Sequence, residues 1–313
     1  MNQDANAILA LCSHLCVPEG VEPLEPREYS ELAQFLTRLG KHPGDLFGLS
    51  MEDCRALFQI EHWERIYRLL ERSASLSFEL SRYENMGIIA VTRADAAYPV
   101  LLKQKLGNSC PPLFYCAGEL SLLKQQYMGF VGSRTIEQQD VDFTIQAVRR
   151  ITERGMGVVS GGAKGIDSVA GTEALLRGGY CVEYLADSMM KKLQKGETVK
   201  QVQNGRLLLL SVAKPEAGFH VGMAMMRNRY IYAQSQATVV VRSDFKKGGT
   251  WAGAEENLKN HYAPCLCRNH PYPGNQALIQ KGAIPVDEAW DGSIPEPKAE
   301  EKEESFQQIS LFE

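Results

Sequence analysis

The ten residues Val158-Val159-Ser160-Gly161-Gly162-Ala163-Lys164-Gly165-Ile166-Asp167 decide how this chain is read. A short β-branched run stops at a serine, glycines and a lysine fill the turn, and a helix is predicted to open at Asp167. Strand, glycine turn and helix form the repeating unit of an α/β fold.

The same unit recurs on both sides. Strands are predicted at Met128–Val131, Gly157–Ser160, Cys181–Leu185, Leu207–Val212, Thr238–Val241 and Cys265–Cys267. Between the first two, Val141, Ile145, Val148 and Ile151 fall on one helical stripe that Gly155 ends. Apolar strands with short glycine-rich connections predict an α/β class, an extended Rossmann-like core over 127–290 with a mostly parallel sheet. Upstream the grammar is different. Leu32, Phe35, Leu36 and Leu39, then Leu57, Ile60, Trp63, Ile66, Tyr67 and Leu70, recur at helical spacing, with Pro43-Gly44 between the runs. Residues 1–85 are therefore expected to form a small all-α domain. Residues 86–126, with one short strand at Gly87–Val91, read as an entry segment or linker. Residues 291–313 read as an acidic, disordered tail.

Charge is unevenly placed. The chain carries a net charge of −4 over 313 residues, yet residues 291–304 alone hold six acids against Lys298 and Lys302. Within 127–260 there are 18 Lys and Arg against 13 Asp and Glu, which permits a polyanionic partner. No run of about 18 apolar residues occurs, so no membrane association is expected. The start, MNQDANAILALCSHLC, is not built like a secretory leader. A cytoplasmic location and reduced thiols follow as expectations. The eight cysteines show no C-x-x-C pair, and neither a metal nor a cofactor is expected.

Three loops leave strand ends on what would be one edge of the sheet: Gly132-Ser133-Arg134, Ser160–Asp167 and Lys246-Lys247-Gly248-Gly249-Thr250. Glycine lets a backbone approach an anion closely, a following helix offers its positive end, and Arg134, Lys164, Lys246 and Lys247 add charge. The plainer alternative is that these glycines only make tight turns. Arg227-Asn228-Arg229, late in a helix, suits phosphates and base edges, and Tyr230 or Tyr232 suits stacking on a base. The phosphate pattern G-x-x-x-x-G-K-[ST] is absent, and Gly155-Met156-Gly157 precedes its strand, unlike a dinucleotide fingerprint.

Taken in order, these segments resemble the DNA-processing protein A family. The resemblance rests on Gly132-Ser133-Arg134, Ser160–Asp167, Ser211 with Glu216 beyond it, Arg227-Asn228-Arg229 and Gly248-Gly249-Thr250. Upstream it extends to Asp95–Leu102 and Pro111–Gly118, so that it spans roughly residues 75–265. It implies a fold that binds single-stranded DNA along a basic pocket, with Ser133, Arg134, Ser160, Lys164, Arg227 and Arg229 on phosphates. Gly161, Gly162, Asn228, Lys246, Lys247, Gly248, Gly249 and Thr250 complete the expected binding set. The resemblance further implies loading of a RecA-type recombinase during natural transformation, often as a homodimer. No catalytic residue is assigned, and Asp167 is expected to cap its helix. The chain departs from the family pattern at 186–190, which lacks a glycine turn, and at Gly171, where the family has histidine. No winged-helix domain is expected after the core.

Gln308-Ile309-Ser310-Leu311-Phe312 resembles the pentapeptide by which ligands engage the bacterial sliding clamp. Leu311 and Phe312 would enter apolar pockets while Gln308 hydrogen-bonds. Docking of this end on the chain's own core is the alternative. The competing reading of the whole chain is a nucleotide sensor or a nucleoside-monophosphate phosphoribohydrolase, with Gly248-Gly249-Thr250 and Glu255 or Glu256 in the active loop.

Overall fold

The computed structural model describes residues 2–58 and 63–294. Helices α1 (Gln3–Cys12), α2 (Pro26–Arg38), α3 (Met51–Phe58), α4 (Trp63–Glu71) and α5 (Ser73–Glu84) come first. Their apolar faces meet in one core, and Arg72 knots them from within. Its buried guanidinium donates to the carbonyls of Ala10 (2.8 Å), Leu15 (2.7 Å) and Ser13 (2.7 Å), groups left open where α1 ends. The helices lie against the sheet edge through Tyr115. Its hydroxyl meets the Ser13 hydroxyl at 2.8 Å, and its ring takes Tyr83 edge-on at 6.2 Å.

The sheet has nine strands among the described residues: β1 (Ile89–Thr92), β2 (Leu113–Ala117), β3 (Tyr127–Val131), β4 (Gly157–Ser160), β5 (Cys181–Tyr184), β6 (Leu207–Ser211), β7 (Ala237–Val240), β8 (Cys265–Arg268) and β9 (Ile284–Val286). Their order is β1-β2-β6-β5-β4-β3-β7-β8-β9. β1 and β2 pair antiparallel with each other, as do β2 and β6, and every other pairing is parallel. Helices α6 (Val100–Leu106), α7 (Gln138–Glu153), α8 (Ile166–Leu176), α9 (Met189–Leu193), α10 (Gly196–Gln203), α11 (Val221–Gln234), α12 (Gly248–Asn260) and α13 (Pro273–Gln280) connect the strands. The four leucines 207–210 are all buried, because both faces of a parallel sheet are covered.

The α/β class with a mostly parallel sheet, behind a helical region, is as the sequence predicts. The six core strands agree within one residue at each end. Three features differ. Residues 86–126 are no tether, since they supply β1 and β2 to the sheet. Strand β9 escaped notice because it is three residues long with Pro285 at its centre, an arrangement that an edge strand tolerates. On α7 the buried stripe is Asp140, Phe143, Thr144, Ala147, Val148 and Ile151, so Val141 and Ile145 sit at its margin. Seven cysteines are buried thiols and Cys16 is exposed. No described helix is long and apolar enough to cross a membrane.

Candidate nucleic-acid interface

From β3 the parallel strands are laid down in two directions, β4-β5-β6 on one side and β7-β8-β9 on the other. Connections leaving β3 and β7 therefore diverge, and a crevice opens at the carboxyl ends of this pair. A cavity of about 490 Å³ fills it, lined by Gly132, Ser133, Arg134, Arg227, Asn228, Lys247, Gly248, Gly249 and Thr250 of the predicted set. The two strand exits are stitched together, since the Ser133 N–H donates to the Arg242 carbonyl at 3.0 Å. Arg134 is exposed, with its guanidinium 5.0 Å from the centre of the Phe219 ring. Phe219 is itself 51% exposed at the mouth of the cavity.

The start of α12 is the other wall. Lys247 precedes the helix without making a side-chain cap, and the first-turn residues Gly248, Gly249 and Thr250 border the cavity. Uncapped first-turn amides and the helix dipole together favour an anion here. Asn228 fixes the turn by donating from Nδ2 to the Gly249 carbonyl at 2.9 Å.

The loop after β4 is different: it already holds an anion of its own. The Gly161 N–H donates to Asp167 Oδ2 at 3.0 Å, and Gly162 N–H donates to Ser160 Oγ at 3.3 Å. Lys192 donates to the Gly162 carbonyl and pairs with Glu183. Asp167 is thus a brace across the loop rather than a helix cap. It also receives Arg227 Nη1 at 3.3 Å, deep in the protein. Burial pushes the Asp167 carboxyl up and the Arg227 guanidinium down, against their mutual attraction. Ser160 is fully buried, so it holds the loop and does not reach a phosphate. Gly161 and Gly162 likewise lie outside the cavity lining, and Gly165, with φ at +84°, lets this loop back onto the Ser133 carbonyl.

Other expected contacts lie elsewhere. Lys164 and Lys246 are exposed on the flanking loops but do not line the cavity. Arg229 pairs with Glu256, away from the cavity lining. Tyr230 is buried in the core, and Tyr232, although it borders the cavity, is 1% exposed, so neither offers a face for stacking. Gln308, Ser310, Leu311 and Phe312 lie outside the described residues. Of the carboxylates a phosphoribohydrolase would need, Glu255 pairs with Lys281 at 3.1 Å and Glu256 with Arg229. Glu216 is held by Arg82 at 2.8 Å and by the Tyr83 hydroxyl at 2.6 Å. No cluster of metal-ligating side chains occurs among the described residues.

Several cavity residues lay outside the predicted set, among them Phe219, Arg242 and the acid Asp244. Arg242 directly follows a predicted strand on the ligand edge, a position that could have marked it. Phe219, a lone aromatic in a polar loop, carried no such signal.

Fold and crevice together define a doubly wound α/β protein with a cleft at its switch point that gathers Arg134, Arg227, Arg242 and Lys247. The chain belongs to the DNA recombination-mediator protein A family, whose model matches residues 89–293, from the first residue of β1 to beyond the last strand. The DNA processing protein DprA of Bacillus subtilis is 27% identical over 221 residues, 68% of this chain and 72% of the relative. DprA of Streptococcus pneumoniae, solved by X-ray, matches with a TM-score of 0.66 at 21% identity, covering 84% of this chain and 95% of that one. DprA of Helicobacter pylori, solved to describe its single-stranded DNA binding mode, matches with a TM-score of 0.51 at 23% identity, covering 63% and 90%. Both structural likenesses are likenesses of fold.

Proposed function

We propose that this cleft binds single-stranded DNA through its phosphates, in the cytoplasm, and catalyses no reaction. One observation carries the reading: Arg134, Lys247 and the uncapped first turn of α12, from distant parts of the chain, line a single cavity at the switch point. Exposed Phe219 beside Arg134 supports stacking of an unpaired base, which a duplex does not offer. The single-stranded DNA named for the Helicobacter pylori protein supports the same ligand class. With this reading go three partnerships: transfer of the strand to a RecA-type recombinase, a homodimer, and attachment to the sliding clamp through Gln308, Ser310, Leu311 and Phe312.

The test is an anisotropy titration of labelled single-stranded and double-stranded oligonucleotides at two salt concentrations. Preference for the single strand is expected, with log affinity falling linearly against log salt. Equal binding to the duplex, or no salt dependence, overturns the proposal. Release of free base from nucleoside monophosphates would instead favour the phosphoribohydrolase.

A further inference from the structure

We propose that Arg242 is a further phosphate ligand of the cleft, anchored by the buried carboxylate of Asp140 and restrained until DNA arrives by the exposed carboxylate of Glu137. The inference rests on the reading of the cleft as a DNA site.

Arg242 lines the cavity two residues beyond the end of β7, and its carbonyl accepts from the N–H of Ser133, the neighbour of Arg134. Its guanidinium lies 4.4 Å from the centre of the Tyr272 ring, which fixes its plane. Nη1 donates to Asp140 Oδ2 (3.0 Å), to Glu137 Oε1 (2.9 Å) and at 3.4 Å to the Tyr272 hydroxyl. Its side-chain hydrogen bonds among the described residues all leave from Nη1, so Nη2 and Nε remain as donors for a ligand.

The charge balance shows which partner yields. Asp140 is wholly buried and serves two arginines, because its other oxygen accepts from Arg268 Nη1 at 2.9 Å. Arg268 has a second partner in Glu288 at 3.0 Å. One buried carboxylate thus holds both guanidiniums, and the other carboxylate ion-paired with Arg242 among the described residues is Glu137, whose side chain is 57% exposed. Exposed ion pairs are weak, whereas phosphate takes an arginine fork bidentately. An arriving phosphate therefore displaces Glu137, while Asp140 and Tyr272 keep the guanidinium in place.

The experiment is an anisotropy titration of the full chain with a fluorescein-labelled oligothymidylate at two salt concentrations, using Arg242→Gln, Glu137→Gln, the double variant and Arg134→Ala. Arg242→Gln is expected to weaken binding about tenfold and to lower the salt slope by about one. Glu137→Gln is expected to tighten binding about threefold, the gain expected when an exposed competing pair is removed, and to do nothing in the Arg242→Gln background. If Arg134→Ala weakens binding while Arg242→Gln does not, Arg242 is no ligand and the cleft reading stands. If Glu137→Gln tightens binding equally in both backgrounds, its charge acts on DNA at large and the restraint is overturned. If neither arginine matters, the cleft reading itself fails. Should Arg242→Gln not fold, Arg242→Lys keeps the charge but loses the fork, and binding equal to the parent protein overturns the proposal.

Discussion

The guanidinium of Arg227 fills the space that a side chain at Gly161 would need, with Nη1 where the Cβ would stand. The glycine that looks in sequence like part of a phosphate loop is in fact required by a buried ion pair. Arg227 reaches across from α11 to Asp167, and the loop after β4 closes around that contact. In the proposed reading, phosphates are then met at the exits of β3 and β7.

Gly161→Ala should therefore destabilise the protein strongly. The methyl group must expel the guanidinium and leave Asp167 buried without its partner, a loss of about 3 kcal/mol. Urea unfolding should show a lower midpoint at unchanged slope; a midpoint equal to that of the parent protein would contradict the packing argument.

Arg134→Ala should weaken single-stranded DNA binding about tenfold and lower the salt slope by about one, with stability unchanged. Lys247→Ala should behave alike. Arg229→Ala should not, because Arg229 is committed to Glu256 outside the cavity. Comparable losses in all three variants would mean that DNA contacts are spread beyond the cleft.

Phe219→Ala separates stacking from charge. Loss of base stacking amounts to about 1–3 kcal/mol per base. Affinity should fall about thirtyfold, roughly the middle of that range, with no change in salt slope. A lowered slope with unchanged stacking fluorescence would show that Phe219 only positions Arg134.

Asp140 gives the fold an acid-sensitive point. Burial raises its carboxyl, but the Glu137 N–H, Arg242 and Tyr272 together outweigh burial and hold it below the ordinary carboxylate value. A carboxyl depressed by folding stabilises above its unfolded value of about 3.9, and that stability is lost as pH falls through the folded value. Asp140→Asn should cost about 3 kcal/mol at neutral pH in urea unfolding. The gap should begin to narrow below about pH 4, where the unfolded carboxyl takes up its proton, and close once pH falls below the depressed folded value.

Deleting Gln308–Glu313 should abolish binding to the sliding clamp by calorimetry while leaving DNA affinity unchanged. Retained clamp binding would dismiss the terminal peptide as the attachment point.

Sequence alone determined what is encoded locally. The apolar strands 157–160 and 207–211, the glycine turns after them and the helical spacing upstream are properties of contiguous residues, and burial on both sheet faces leaves a continuous apolar run that can be read directly. It also placed Arg134, Lys247 and Gly248–Thr250 at strand exits, because in an α/β fold the ligand edge follows from strand direction. Only the tertiary structure decided which exits meet. The switch between β3 and β7 joins the first and third loops into one cavity, to which the second, closed around the contact of Asp167 with Arg227, adds Ala163 and Asp167. Asp140 reads in sequence as one more polar residue near the start of a helix, yet its burial beside Arg242 and Arg268 makes it the anchor of the cleft wall. Ion pairs between residues so far apart in the chain leave no periodic trace in it, because their partners become neighbours only when the sheet brings its strand ends together.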